Sequence, residues 1–205
     1  MPTDPPSSDD ALDLDLCAVQ AGDEAAFGRL FRAVQPGLVR YLSALVGSDA
    51  PDVAGETWLQ VCRDLARFSG DVDGFRGWVA RIGRNRALDH ARTARRRPET
   101  AALDDLLTLP AADTTDDLAL QRLTTEAAVA AIAALPRDQA EAVLLRVVMG
   151  LDATAAARVL GKRPGAVRTA AHRGLRSLQR RLSAAPTAAE AGCNTYGVVN
   201  ADEVR

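Results

Sequence analysis

The sequence predicts an all-α fold: two small helical domains joined by a flexible acidic linker. Three observations carry this. Alanine, the strongest helix former, makes up about a fifth of the 205 residues. Apolar residues recur at helical spacing through two long stretches, and no part of the chain reads as a set of strands. Between those stretches lies a segment rich in Asp, Thr, Ala and Pro with weak periodicity.

The elements follow in chain order. Residues 1–22 are acidic, begin Pro- and Ser-rich, and read as a disordered N-terminal segment. Asp23 or Gly22 can start a helix carrying Phe27, Leu30, Phe31 and Val34 at helical spacing. Pro36-Gly37 predicts a bend or restart, after which Leu38, Val39, Tyr41, Leu42, Leu45 and Val46 continue as far as Gly47. Asp49 or Asp52 can cap a third helix, with Val53, Trp58, Leu59, Cys62, Leu65 and Phe68 on its apolar side. Residues 69–74 form a loop by composition. A fourth helix runs from about Phe75 to Arg95, with Trp78, Val79, Ile82, Leu88 and Ala91 inward and the arginines outward, and Pro98 ends it. Residues 23–97 thus make a first domain and 98–124 the linker. In the second domain, 125–182, a helix over 127–135 ends at Pro136. That proline suits the first turn of the next helix, which carries Ala140, Val143, Leu144, Val147 and Val148. A helix over 154–160, the turn GKRPG at 161–165 and a helix over 166–182 complete it. The tail, 183–205, reads as flexible.

Composition excludes several function classes. Apolar residues at 47 % and charged residues at 25 % are ordinary globular values. No apolar run approaches the roughly 18 residues of a membrane span. The acidic N-terminus is the opposite of a secretory signal, so the expected location is cytoplasmic, without membrane insertion. Cys17, Cys62 and Cys193 are far apart, and His90 and His172 are the two histidines. A disulfide framework, a zinc site and metal catalysis by histidine clusters therefore lack material. No metal or other cofactor is expected, and no residue constellation supports an enzyme.

The net charge of −2 hides strong segregation. Residues 76–97 hold eight Arg against Asp89, and residues 158–181 hold eight basic residues and no acid. Between them, residues 98–126 hold seven acids against Arg122. Each basic block is dense enough to neutralise several phosphates, the term that dominates nucleic-acid affinity. A solvated helix face is the bland alternative for either block alone. For both together it is the weaker one.

Two constellations stand out. Residues 154–182 read as a helix, a short Gly-containing turn and a basic helix, with Ala157, Leu160, Val167, Ala171 and Leu175 at the crossing. Arg168, Thr169, His172, Arg173 and Arg176 then face outward as in a recognition helix, where Arg pairs with guanine and Thr meets a thymine methyl. The second is the segment FRGWVARIGRNRALDHARTARRR at 75–97. Seven of the eight aromatic residues lie between Phe27 and Trp78, so stacking on unpaired bases belongs to the first domain if anywhere.

With these residues in view the chain resembles the extracytoplasmic-function group of the sigma-70 superfamily, promoter-specificity subunits of bacterial RNA polymerase. GDEAAFGRLF at 22–31 resembles the start of sigma region 2, and DVAGETWLQV at 52–61 the helix that docks on the polymerase clamp. Residues 75–97 resemble the promoter-melting and −10-reading segment. ALPRDQAEAV at 134–143, with 150–182, resembles the −35-reading helix-turn-helix of region 4. The match covers residues 22–97 and 125–182.

The resemblance implies an alternative sigma factor that binds core RNA polymerase, reads −35 duplex DNA and captures the melted −10 element. Asp52, Glu56, Thr57 and Gln60 would face the clamp helices of the largest subunit. Asn85 and Asp89 would face the −10 element, with Arg84, Arg86 and Arg92 on phosphates. The loop at 69–74 would help hold a flipped base. Arg168, Thr169, His172, Arg173 and Arg176 would read the −35 element. Partners would be core polymerase, promoter DNA and an anti-sigma factor. The acidic linker would lie in the polymerase's basic channel. Gly55, Gly77, Gly83, Thr154, Ala155, Ala170 and Ala171 depart from the family pattern, with the expected effect on promoter choice more than on fold. The alternative is a stand-alone dimeric helix-turn-helix regulator.

Overall fold

The computed structural model describes residues 8–96 and 116–184. Arg97, residues 98–115 of the expected linker and most of the tail, 185–205, lie outside the described residues. The described residues form helices and no strand.

The first helix, α1 (Ser8–Gln20), overturns the expectation of disorder for residues 8–20. Leu12, Leu16 and Val19 fall at i, i+4 and i+7, and all three pack into the core beside α2 (Glu24–Val46). The Asp15 carboxylate accepts two hydrogen bonds from Arg29 Nε, at 2.9 and 3.0 Å, and one from Nη2 at 2.6 Å. These few apolar positions suffice among the acids because they face a surface that is already apolar.

Asp23 caps α2, its carboxylate accepting from Ala25 N and Ala26 N. The helix then runs unbroken through Pro36, where a bend or restart was expected. Leu30, Val34, Leu38, Tyr41 and Leu42 are buried along one face on both sides of the proline. That shared burial outweighs the roughly 3 kcal/mol a mid-helix proline costs.

A 3-10 turn at Gly47–Asp49 leads to α3 (Ala50–Asp64). Asp49, one of the two expected acids, takes the N-cap position, but its side chain makes no cap hydrogen bond and instead meets His90 at 2.7 Å, while Pro51 occupies the first turn. After the 3-10 turn Leu65–Arg67, α4 (Val72–Arg96) starts three residues before the expected Phe75. Asp71 Oδ1 accepts from Gly74 N at 2.8 Å, closing its first turn.

The second unit begins with α5 (Asp116–Ala133), so residues 116–124, expected as linker, are helical. Next, α6 (Arg137–Val143) passes into a π-helical turn, Leu144–Val148. The pair α7 (Ala153–Leu160) and α8 (Pro164–Ala184) is the expected helix-turn-helix. The two units share one apolar core: α7 packs on α4, and α5 and the π turn pack on α2.

If α1 is integral to the core, Leu16→Ala, which empties a site only 2 % exposed, lowers unfolding stability by about 2–5 kcal/mol. Urea unfolding followed by far-UV circular dichroism measures this. No change would return α1 to the status of a loose tail.

Candidate nucleic-acid interface

The C-terminal pair is built by local rules. Asp152 Oδ1 accepts from Ala155 N at 2.6 Å and caps α7. Gly161, at φ +65, takes the left-handed turn that closes it. Gly174 lets α8 approach α6 closely, since a Cβ there would stand 2.7 Å from Val143 Cγ2. Sequence reading missed that glycine, although a Gly within a helix is a signal of close packing.

All five residues expected to read duplex DNA, Arg168, Thr169, His172, Arg173 and Arg176, are exposed on α8. The Thr169 hydroxyl donates to Gly165 O at 3.0 Å. Arg173, Arg176, Arg180 and Arg181, with Pro136 and Gln139, line an open groove of about 760 Å³. Leu175, expected at the helix crossing, is instead exposed. It lies one residue beyond the buried Gly174, and Val167, Ala171 and Gly174 carry the inward stripe.

On α4, Asn85, Asp89 and Arg92 are exposed at i, i+4 and i+7. Asp89 holds Arg92 at 3.0 Å. Arg81 extends the same stripe one turn back and is exposed; the 3.6-residue period of the basic block could have found it. Arg86 is half-buried, and its Nε and Nη2 donate to Gln60 Oε1 at 3.1 and 2.9 Å. An expected polymerase-facing residue thus holds an expected phosphate-binding one.

Arg84 is tied across the two units. Its Nε donates to Glu141 Oε2 at 3.0 Å, and Arg137 Nε donates to Glu141 Oε1 at 2.9 Å. Glu141 is one of two buried polar or charged side chains among the described residues. Beside this cluster, burial, reinforced by the Glu141 charge, pushes the Tyr41 phenol well above its usual pKa. Nearby, Gly77 brings α4 to α7, with its Cβ position 3.5 Å from Ala155 Cβ. At Gly83 a Cβ would stand 3.0 Å from Leu38 Cδ1. These two departures from the family pattern lie at close helix contacts.

On α3, Asp52 and Glu56 are exposed one turn apart. Thr57 corrects the expectation: it is fully buried, and its hydroxyl donates to Val53 O at 2.7 Å. A residue so placed meets α4, not a partner's surface. Leu59, expected inward, is 59 % exposed beside Glu56, and Cys62 is exposed as well. Trp58 takes the core position, its ring tilted at 50° to that of Phe31 with centroids 4.8 Å apart.

The expected loop at 69–74 is shorter, since residues 72–74 open α4; what remains, 69–71, lies against aromatic rings. Phe68 packs on Trp78 at 5.1 Å and on Phe75 at 5.7 Å. Asp64, Arg67, Phe68, Ser69 and Trp78 line an open cavity of about 310 Å³. Among the described residues no group of three or more His, Cys, Asp or Glu could hold a metal ion. None of the described helices is long and apolar enough to cross a membrane.

Comparison with known proteins fits this geometry. Residues 30–97 match the family model of sigma-70 region 2, and residues 125–178 that of sigma-70 region 4. The chain is 34 % identical over 165 residues to the ECF RNA polymerase sigma factor BldN of Streptomyces coelicolor, covering 80 % of this chain and 62 % of BldN. It is 31 % identical over 184 residues to the ECF sigma factor SigD of Mycobacterium tuberculosis, covering 85 % of each. Among solved structures, CnrH in complex with the cytosolic domain of CnrY matches with TM-score 0.59 and 24 % identity, over 85 % of this chain and 99 % of CnrH. RpoE of Bartonella quintana in complex with the anti-sigma factor NepR matches with TM-score 0.57 and 21 % identity, over 78 % and 98 %. At these identities the two structures speak to fold.

The Asp152 cap gives a pH-dependent prediction. Its hydrogen bond from Ala155 N holds the carboxyl below its ordinary pKa. A lowered folded-state pKa means the contribution is complete above the unfolded value and fades as pH falls through the folded one. Asp152→Ala therefore costs about 0.5–2 kcal/mol at neutral pH, and the gap to the native chain closes in acid. Urea unfolding across a pH series reads the gap; a pH-independent gap would contradict the cap.

Proposed function

We propose, because the chain belongs to the extracytoplasmic-function group of sigma factors, that it is an alternative sigma factor. It binds core RNA polymerase and directs promoter-specific initiation. The observation that carries this reading is the pairing of two exposed basic stripes of unlike chemistry. One lies on α8, in a unit whose described residues include no Phe, Trp or Tyr, and the other on α4, which begins at a loop walled by Phe68 and Trp78. The first suits duplex DNA, and the second suits a strand whose bases are unpaired.

In this reading Asp52 and Glu56 present charge to the polymerase clamp, with Leu59 as the apolar contact between them. Arg168, Thr169, His172, Arg173 and Arg176 enter the major groove of the −35 element. Asn85 and Asp89 face the melted −10 strand while Arg84, Arg86 and Arg92 take phosphates. Melting is driven by binding: unstacking costs a few kcal/mol per step and is offset by new stacking and phosphate contacts. No catalysed reaction is assigned. An anti-sigma factor is the third proposed partner, and the cytoplasm, where the polymerase works, the proposed location.

The packing of α4 on α7 has a mechanical consequence. Packed helices lie about 8–10 Å apart, so α8, one layer beyond α7, lies roughly 20 Å from α4. Promoter elements about 17 base pairs apart are separated by roughly 58 Å of B-DNA. The two units must therefore part before both stripes can engage, and Arg84 must leave Glu141. The 19 residues from 97 to 115 can span at most about 65 Å, enough for that separation.

Run-off transcription with purified core polymerase on a genomic promoter library tests the function. The chain is expected to select a defined set of start sites, and Asn85→Ala or Arg173→Ala to cut yield by roughly fivefold to a hundredfold, in line with about 1–3 kcal/mol for a base contact. Tight duplex binding to paired half-sites without polymerase would favour the dimeric regulator instead. For the closed packing, Glu141→Ala is expected to enlarge the radius of gyration of the free chain in small-angle scattering. An unchanged radius would mean that the Arg84 contact does not hold the units together.

A further inference from the structure

We infer that α1 positions the loop at 69–71, with Asp13 and Gln20 as positioning residues that clamp its two ends; the consequence for DNA rests on the proposed capture of an unpaired base by that loop. Gln20 Nε2 donates to Phe68 O at 2.7 Å, at the point where the chain enters the loop. Asp13 Oδ1 accepts from Val72 N at 2.6 Å, where the chain leaves it for α4. One turn earlier in α1, Asp9 Oδ1 takes Arg76 Nη2 at 2.7 Å, and this hydrogen bond holds the Asp9 carboxyl below its ordinary pKa.

The spacing is what makes α1 a clamp. Asp9, Asp13, Leu16 and Gln20 stand at i, i+4, i+7 and i+11, one stripe of the helix. Leu16 anchors the stripe in the core, and the polar residues on either side of it reach opposite ends of one loop. Asp13 and Gln20 are seven residues, about 10.5 Å, apart along the axis. Both contacts go to backbone groups, so they set the path of the loop whatever side chains it carries. Local contacts act at its two ends, Phe68 N donating to Leu65 O and Gly74 N to Asp71 Oδ1; between them Gly70 sits at φ +148, open to conformations other residues avoid, and its Cβ position faces Phe68 Cζ at 3.2 Å. Phe68, whose carbonyl Gln20 holds, forms one wall of the aromatic cavity with Trp78. Shifting that carbonyl shifts the wall.

The test uses the full chain and two readouts. In a Trp58→Phe background, Trp78 is the sole tryptophan, and acrylamide quenching of the free chain reports the loop. Asp13→Ala with Gln20→Ala is expected to raise the quenching constant at least twofold, and Asp13→Asn, which keeps an acceptor, to stay near the native value. Unchanged quenching in the double variant would overturn the inference. The second readout is holoenzyme affinity for the −10 strand of a promoter found by run-off, scanned with one abasic site at a time. In the native protein one position is expected to lose at least tenfold, and in the double variant that penalty is expected to fall within twofold of the neighbouring positions, with core affinity kept. A retained penalty, or a parallel loss of core affinity, would overturn the inference. A native chain with no such position would remove the base-capture reading, while the quenching result still decides whether α1 holds the loop.

Discussion

A carboxylate sealed from water needs cationic partners, and Glu141 has two: Arg84 from the first unit and Arg137 from its own helix. Much of the architecture turns on this cluster. It fixes where α6 meets α4, it lies beside the buried Tyr41, and it withholds from solvent an arginine that the −10 reading needs. A buried ion pair contributes little net stability compared with an apolar contact, because both charges are desolvated. It does discriminate between arrangements, since a docking that keeps Glu141 buried without Arg84 leaves the carboxylate with Arg137 alone. Phosphates can replace the carboxylate for Arg84. In the proposed mechanism, charge exchange of this kind couples DNA engagement to opening.

The same logic recurs along α4. Arg76 is held by Asp9 and Asp73, Arg86 by Gln60 and Arg92 by Asp89. Most of these partners are exposed carboxylates, whose hold is weak in salt water. The basic stripe is therefore kept ordered and still open to a polyanion, whose closely spaced charges outcompete single acids. The α8 stripe differs. No described acid faces Arg168, Arg173 or Arg176, and it stands open from the start.

The sequence made the helices legible where local chemistry decides them. Asp23 capping α2, Gly47 and Gly161 ending their helices, and the helix-turn-helix all follow from cap and turn rules acting within a few residues. It failed where tertiary packing overrides local preference. Pro36 does not interrupt α2, because one apolar face runs past it on both sides. The stripe Leu12, Leu16, Val19 was masked by the acids around it. On α3 the outward position of Leu59 and the inward one of Thr57 reverse what hydropathy alone assigns, since the helix buries the face that meets α4. The exposed stripes on α4 and α8 were legible from periodicity and charge. Their internal partners were not, because Glu141 lies 57 residues from Arg84 and Gln60 lies 26 from Arg86.

In the proposed mechanism α4 and α8, linked through α7 in the free chain, move far apart when both grip one promoter, and the mechanism stands or falls on that separation. Energy transfer between a donor on the exposed face of α4 and an acceptor on α8 measures it. Transfer is predicted to be efficient in the free chain and to fall steeply in the complex with core polymerase and promoter, as the separation approaches roughly 58 Å. Undiminished transfer in a complex that transcribes would contradict the mechanism.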